Sequence, residues 1–248
     1  MSASESANHL ALKRSAALWA QARGYRMVAP EVALPNSRYR ADVAAYRPDR
    51  RTGRTLAIGE TAVFECKQAR SDFLKDCRSA EVTSARLQEL TDRRAALESL
   101  LGVHFPNLRK GESLFPEFDT YDFEQLSHKG YGEVMREIRI LTKRLYEKTK
   151  FERLVTWRCA NVFYLVVTPG ILGEHEVPES WGLLEQQESP EDPSGANLTL
   201  LRKPTLIECP DSARLELLQR LAAYGTREMN RSFGVDFEEV REAARGTV

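Results

Sequence analysis

The sequence predicts a mixed α/β fold, in which helices flank one mixed β-sheet. A helical pattern in residues 8–23 precedes three strand-like segments that short turns connect. Two long helical patterns, residues 73–102 and 133–154, come next. Residues 160–168 (ANVFYLVVT) then form the continuous apolar run that is typical of a buried strand. Elements in this order bury their apolar sides by packing helices in layers against the sheet.

The spacing of apolar residues indicates whether each element is a helix or a strand, and Gly, Pro and capping residues mark where it begins and ends. Gly24 stops the first helix, and Ser71 and Asp72 are suitable N-caps for the helix that ends at Gly102. The predicted elements, in chain order, are a helix at 8–23, an extended segment at 25–34, a turn at 35–37, a strand at 40–46, one long strand or two short ones at 55–67, helices at 73–102 and 133–154, strands at 160–168, 181–185 and 198–201, and helices at 211–224 and 236–245. We expect the two long helices to form an inserted antiparallel pair, and the last two strands to be short edge strands.

Composition limits the class of protein. The 248 residues suit one large domain, or one domain with a sizeable insertion, and 42% hydrophobic residues suffice for a core. The formal net charge is zero, so a site for a polyanion has to be a local patch. The N-terminus has no apolar signal-peptide run, and no segment reaches about 18 apolar residues. We therefore expect a cytoplasmic protein with no membrane association.

Several common kinds of site have no signal in the sequence. The four cysteines and four histidines show no spacing typical of zinc or iron–sulfur ligands. Dinucleotide-binding, P-loop and serine-hydrolase motifs are absent as well.

Two carboxylates and a lysine stand on the second and third predicted strands. Asp42 lies in an apolar stretch, Glu65 directly follows the apolar run AVF, and Lys67 comes two residues later. Ionised groups beside buried runs are costly unless they are paired or bind a metal. Together, such residues can hold a divalent cation and activate a water for phosphodiester cleavage. The plainer interpretation is that Lys67 is a solvated residue paired with Asp72 or Glu65.

The order of these elements and residues resembles the PD-(D/E)xK nuclease superfamily. The matching residues are Asp42 and Glu65-Cys66-Lys67, with 22 residues between Asp42 and Glu65. The segments EVALPNSRYRADVAAY, FECKQARSDFLKD and NVFYLVVTPGILGEHEVPESWGLLE are similar to those of MmcB-type DNA-repair nucleases.

This resemblance covers roughly residues 8–78 and 157–185. Residues 79–150 are larger than the second helix of that branch, and the region beyond 200 has no match. Asn161 stands where such sequences tend to carry an Asp just before the fourth strand.

The resemblance implies a restriction-endonuclease-like fold and a metal-dependent deoxyribonuclease. The fold would be a single domain over residues 1–248, with a helical insertion at about 79–150 and a C-terminal helical extension at about 211–248. The activity would be hydrolysis of DNA phosphodiester bonds in DNA repair or processing, with Mg²⁺ or Mn²⁺ as the cofactor.

Each residue of the motif has an expected role. Asp42 and Glu65 would offer carboxylate oxygens to the metal, and Cys66 would offer its backbone carbonyl while its thiol points to the opposite face. Lys67 would orient or help deprotonate the water, or neutralise charge in the transition state. The resemblance allows Glu31, on the preceding strand segment, as an extra acidic ligand, and a surface carboxylate is an equal alternative.

Charge is segregated along the chain in a way that suits contact with a phosphate backbone on one side. Residues 38–54 carry a local net charge of +4 and residues 136–158 one of +5, whereas residues 174–192 hold seven acids and no Lys or Arg. For residues 136–158 a solvated helix face is an equal alternative. The side chains expected to contact DNA are Arg38, Arg40, Arg50, Arg51, Gln68 and Arg70. DNA is the expected partner, and the helical insertion is a candidate surface for a homodimer.

A second function stays open, namely a catalytically inactive DNA-binding or scaffold protein on the same fold. The intact Asp42, Glu65 and Lys67 favour the nuclease, because a binding module has no need of all three. The strandedness of the substrate, the polarity of cutting and any sequence preference are not determined by these residues.

Overall fold

The computed structural model describes residues 6–49, 58–75, 80–105, 109–110, 120–121, 128–147, 149–187, 197–234 and 242. The chain divides into two compact units, Met1–Asp76 with Lys148–Val248, and Cys77–Glu147. The elements in chain order are α1 (Ala7–Ala22), β1 (Met27–Ala33), β2 (Arg40–Arg47), β3 (Glu60–Lys67), α2 (Arg70–Lys75), α3 (Ala80–His104), β4 (Arg109–Lys110), β5 (Thr120–Tyr121), α4 (Lys129–Tyr146), α5 (Lys150–Thr156), β6 (Val162–Val167), β7 (Trp181–Gln186), β8 (Leu198–Arg202) and α6 (Asp211–Ser232).

A six-stranded mixed sheet with the strand order β1-β2-β3-β6-β7-β8 forms the first unit. The strands β1, β2 and β3 form an antiparallel meander, β3 pairs in parallel with β6, and β6 pairs in parallel with β7. The edge strand β8 is antiparallel to β7. The mixed α/β class predicted from the sequence is confirmed.

Helices cover both faces of this sheet. On one face, α1 buries Leu12, Ala16 and Trp19 against alternate side chains of β3 and β6, among them Phe64 and Tyr164. The rings of Phe64 and Tyr164 are stacked with their centroids 5.0 Å apart. Because side chains alternate along a strand, the neighbouring residues of β3 point to the face that α5 covers.

The core on the α5 face is aromatic. The ring of Trp181 lies 5.1 Å, centroid to centroid, from those of Phe151 and Phe163, and Phe73 of α2 packs on Phe151. The indole Nε1–H of Trp181 donates to the carbonyl oxygen of Phe151 at 3.2 Å. This bond satisfies a buried donor and fixes α5 on the sheet.

The second unit contains α3 and α4, which pack against each other. Arg86 Nε donates to Glu137 Oε1 at 3.0 Å, and the Tyr131 hydroxyl donates to Glu98 Oε1 at 2.7 Å. Glu98 lies after Arg86 in α3, whereas its partner Tyr131 lies before Glu137 in α4, so the two helices are antiparallel. The sequence predicts this arrangement.

Some predicted elements were wrong. The helix predicted at 133–154 is broken, because Glu147 takes an extended conformation (ψ 126°) after α4 and Thr149 is the extended N-cap of α5. Strand β7, predicted at an edge, lies between β6 and β8, with Leu183 and Leu184 fully buried.

Several boundaries also differ from prediction. Helix α2 begins at Arg70, so Ser71 and Asp72 lie inside its first turn and are not N-caps, and α3 continues past Gly102 to His104. The helix predicted at 211–224 continues through Gly225 to Ser232, because Leu217 and Leu221 anchor it, Gly225 keeps its backbone N–H, and no Pro follows them in the helix. The strand predicted from Thr55 begins at Glu60 within the described residues. Residues 50–57 and most of the helix predicted at 236–245 lie outside the described residues. No helix in the described ranges has the length and apolarity that a membrane span requires.

Candidate functional site

The candidate site lies where β2 and β3 stop pairing. The ladder between them runs from Arg47 and Glu60 to Val43 and Phe64, and beyond that point β3 is paired with β6 alone. The backbone N–H of Cys66 donates instead to the carboxylate oxygen Oδ2 of Asp42 at 2.7 Å. Because a buried N–H needs an acceptor, this charge-assisted bond holds the Asp42 carboxylate at the point of separation.

Glu65 is the buried carboxylate of the site. Its side chain is 2% exposed, and Oε2 accepts from Lys150 Nζ of α5 at 2.7 Å. The other oxygen, Oε1, is buried and has no hydrogen-bond partner among the residues that the structure describes. Desolvation by burial raises the pKa of Glu65 to about 7, against the lowering effect of Lys150 and Lys67 and with a further rise from the charge of Asp42. The two carboxylates are therefore close enough to repel each other when both are ionised.

Lys67 ends β3, where it is half-buried and stands opposite Val167 of β6. It is close enough for its positive charge to lower the pKa of Glu65. The structure thus brings together the three residues that the sequence singles out, Asp42, Glu65 and Lys67, at one end of the β2–β3 pair.

Cys66 points away from Glu65, as strand alternation requires. Its side chain is buried in the core between α1 and the sheet, and burial raises the pKa of its thiol well above the ordinary value. The thiol sulfur, a nitrogen of the His9 ring and an oxygen of Asp42 lie within 4.8 Å of one another. Of these three groups only the carboxylate is a ligand that Mg²⁺ prefers.

Glu31 stands opposite Asp42, between the residue pairs Pro30–Val43 and Val32–Ala41 of the β1–β2 ladder. Its backbone φ is +53°, a left-handed conformation that is unfavourable for a residue other than Gly. Arg40 supports this conformation, because its Nη2 donates to the Glu31 carbonyl oxygen at 2.6 Å.

The Glu31 side chain pairs with the buried Lys13 of α1, and Lys13 Nζ also lies 3.9 Å from Asp42 Oδ1. A lysine therefore links the two carboxylates. The ligand role of Glu31 stays a prediction, because this pairing explains its position without a metal.

Sequence reasoning missed three of the residues around Asp42 and Glu65, namely His9, Lys13 and Lys150. His9 and Lys13 are four residues apart on α1 and so share a helix face, and His9 Nε2 lies 3.6 Å from Asp42 Oδ2. That spacing, together with a lysine on the apolar side of a helix, was a usable signal. Lys150 had no such signal, because it lies 85 residues from Glu65 in sequence and reaches the carboxylate only through the position of α5.

The residues expected to contact DNA fall into different environments. Arg38 and Arg40 are exposed, on and next to the turn that enters β2, and Gln68 accepts a hydrogen bond from the Ser6 hydroxyl. Arg70 donates to the Ile171 carbonyl oxygen at 2.9 Å and pairs with a buried glutamate, Glu176, so it has a structural role. Arg50 and Arg51 lie outside the described residues.

Asn161, which departs from the resemblance, joins β3 to two later segments. Its Oδ1 accepts from the backbone N–H of Thr61 at 3.0 Å and from the Thr61 hydroxyl at 3.1 Å, and its Nδ2 donates to the Ile207 carbonyl oxygen at 3.1 Å. The amide suits this place better than a carboxylate, because it both accepts and donates.

Comparison with known proteins assigns no family to this chain. No family profile matches the sequence, and no curated protein is similar to it. Among solved structures, the SPO1766 protein of unknown function from Silicibacter pomeroyi is similar at a TM-score of 0.46 and 15% identity, over 90% of this chain and 88% of that one. A likeness at this level supports no statement about function.

Proposed function

We propose that the protein is a metal-dependent deoxyribonuclease with Asp42, Glu65 and Lys67 as its catalytic residues, on a restriction-endonuclease-like version of the mixed α/β fold. The observation that carries the proposal is the pair of carboxylates at the separation of β2 and β3, one of them buried with an oxygen that has no hydrogen-bond partner in the described part of the chain. Placement in DNA repair or processing rests on the sequence resemblance alone.

A divalent cation fits these residues. The oxygen Oε1 of Glu65 needs a partner, because an unpartnered buried carboxylate oxygen is costly. The charges of Asp42 and Glu65 raise each other's energy when both are ionised, and a cation between them would remove this repulsion. Carboxylates and a backbone carbonyl such as that of Cys66 are the ligands that Mg²⁺ and Mn²⁺ prefer.

When bound, such a cation would polarise the scissile phosphate and make a water more acidic. The other work falls to the side chains of the chain itself. Asp42 is held in place by the Cys66 N–H, so it needs little reorganisation. Lys67 supplies a positive charge beside Glu65, where it can orient the attacking water or balance the charge that develops on the phosphate. Lys150 holds Glu65 Oε2 and leaves Oε1 for the cation.

Cleavage assays test the proposal directly. Single-stranded, double-stranded, flapped and branched DNA are incubated with Mg²⁺ or Mn²⁺ and with wild type, Asp42→Asn or Lys67→Met. We expect wild type to cut at least one of these substrates and each variant to be slower by about 100-fold or more, since each loses a charge at the reacting phosphate. Lys203→Met makes the same change at an exposed lysine and should retain full activity.

Metal binding is measured separately, by titrating Mn²⁺ into the protein and following its electron paramagnetic resonance signal. Asp42→Asn keeps an oxygen acceptor for the Cys66 N–H and so should fold, yet it should bind Mn²⁺ at least about tenfold more weakly than wild type. Wild type that cuts none of the four DNA forms, or an Asp42→Asn variant that cuts and binds Mn²⁺ like wild type, would sink the nuclease proposal. DNA binding without cleavage would instead identify the inactive DNA-binding alternative.

A further inference from the structure

An arginine-lined cavity lies between the sheet edge and the C-terminal helix, next to the candidate site. It has a volume of about 380 Å³ and is bounded by β1 and by one face of α6. Arg40, Arg220, Tyr224 and Arg227 line it together with Glu31. Sequence reasoning singled out Arg40 and Glu31 but no residue of α6.

The α6 residues share one side of the helix because of their spacing. Arg220, Tyr224 and Arg227 follow one another at intervals of four and three residues, which places them on adjacent turns of the same face. The neighbouring stripe, with Leu217 and Leu221, is buried and anchors the helix. The arginines are therefore held facing β1 by the packing of α6.

Positive charge exceeds negative charge in the cavity. Arg220 pairs with Glu216 through Nη2, while its Nη1 is buried and has no hydrogen-bond partner among the described residues. Arg227 is exposed, and its guanidinium carbon lies 6.0 Å from the centre of the Tyr224 ring. Glu31 pairs with Lys13, and its Oε2 also lies 3.7 Å from Arg40 Nε, so two cations face this one carboxylate. An anion in the cavity would supply the acceptor that Arg220 Nη1 needs.

A phosphate group suits this arrangement. The planar guanidinium fork matches two phosphate oxygens, and several arginines can surround one phosphate. The half-buried Tyr224 lines the cavity beside these arginines, and aromatic side chains of this kind commonly accompany arginines where proteins bind single strands. A series of ion pairs joins the cavity to the candidate site. Glu31, which lines the cavity, pairs with Lys13, and Lys13 Nζ lies 3.9 Å from Asp42 Oδ1.

We infer that the Arg40–Arg220–Arg227 cavity binds a backbone phosphate of the nucleic-acid strand whose scissile phosphate lies at Asp42 and Glu65. The inference rests on the proposed nuclease function for the identity of the ligand. Helix α6 would then help to hold the substrate. The charge counts along the sequence do not indicate this role for α6.

The test measures DNA binding in EDTA, where no metal-dependent cleavage occurs. Fluorescence anisotropy follows a labelled single-stranded oligonucleotide binding to wild type, Arg227→Gln, the double variant R220Q/R227Q and Arg231→Gln over a series of salt concentrations. Arg231 is the matched control, because it lies on α6 outside the cavity and pairs with Glu228. We expect R220Q/R227Q to bind about tenfold more weakly, and the slope of log affinity against log salt to become shallower by about 0.7 for each phosphate that the protein no longer neutralises. Arg231→Gln should behave like wild type.

Equal affinity and slope for R220Q/R227Q and Arg231→Gln would overturn the inference. In a competition experiment, poly-glutamate and unlabelled oligonucleotide are added at equal charge to displace the labelled oligonucleotide. Equal displacement by the two would also overturn the inference, since the cavity would then bind any polyanion, including acidic proteins. Arg227→Gln changes an exposed residue and should keep the fold, so its weaker binding checks that the effect of the double variant is not unfolding. If wild type binds DNA through the cavity but cuts none, the nuclease proposal fails and only the cavity's phosphate binding stands. If wild type cuts DNA while R220Q/R227Q binds it normally, the nuclease proposal stands and the phosphate-binding role of the cavity fails.

Discussion

Glu65 links the stability of the protein to pH. Burial raises the pKa of its carboxyl from 4.5 to about 7. Between these values the folded protein keeps a proton on Glu65 that the unfolded chain releases. The free energy of unfolding therefore falls as pH rises from about 4.5 to about 7, and the contribution of Glu65 is constant above that range. One pKa unit corresponds to about 1.4 kcal/mol, so the total fall is about 3 kcal/mol.

Glu65→Gln isolates this effect, because glutamine has nearly the same size, can still accept from Lys150 and cannot ionise. Wild type and variant are unfolded with urea in EDTA at several pH values, with circular dichroism as the signal. We expect the unfolding free energy of the variant minus that of wild type to rise by about 3 kcal/mol from about pH 4.5 to about pH 7 and to stay level above. Glu208→Gln makes the same change at an exposed glutamate, where burial cannot act. A difference that is flat across pH, or that falls as pH rises, would refute the dominance of burial over the nearby lysines.

Two further predictions concern the framework around the site. Asn161→Ala should lower the unfolding free energy by about 2 to 4 kcal/mol in urea titrations, because it removes three hydrogen bonds and takes a partner from the backbone N–H of the buried Thr61 and from the carbonyl oxygen of the half-buried Ile207; a decrease below about 0.5 kcal/mol would show that water replaces them. Gly182→Ala should lower the unfolding free energy by about 1 to 3 kcal/mol in thermal melts, because an added Cβ would lie 2.8 Å from a Tyr164 ring carbon and 3.0 Å from a backbone oxygen. Gly132→Ala, whose Cβ would meet nothing within 4 Å, is its control, and equal melting temperatures for the two variants would contradict the steric argument.

Local patterns predicted much of the fold because they report local constraints. The apolar face of α1 and the continuous run of β6 each require a buried partner surface, so their identity was readable without neighbours. The break between α4 and α5 was not predicted, since the sequence there is polar and compatible with helix. The inner position of β7 was missed for a similar reason, because a short apolar strand suits an edge or a centre equally well.

The candidate site shows the same division. Asp42 and Glu65 lie on neighbouring strands, and this was predictable because their two strand-like segments are joined by one short connection. Their relation to Lys13 and Lys150 does not, since those lysines come from helices on opposite faces of the sheet. Only packing decides that both lysines turn inward while other charged residues of the same helices, such as Arg14 and Glu152, are exposed.

The sequence by itself determined a mixed α/β fold and the placement of Asp42, Glu65 and Lys67 on adjacent strands, because alternation and short connections act over a few residues. The tertiary structure decided that the ladder ends at Val43 and Phe64, that Glu65 is buried with one oxygen bonded to Lys150, and that arginines of α6 lie beside Glu31. These features depend on residues far apart in the chain, and the desolvation that raises the pKa of Glu65 exists only once those residues have packed around it.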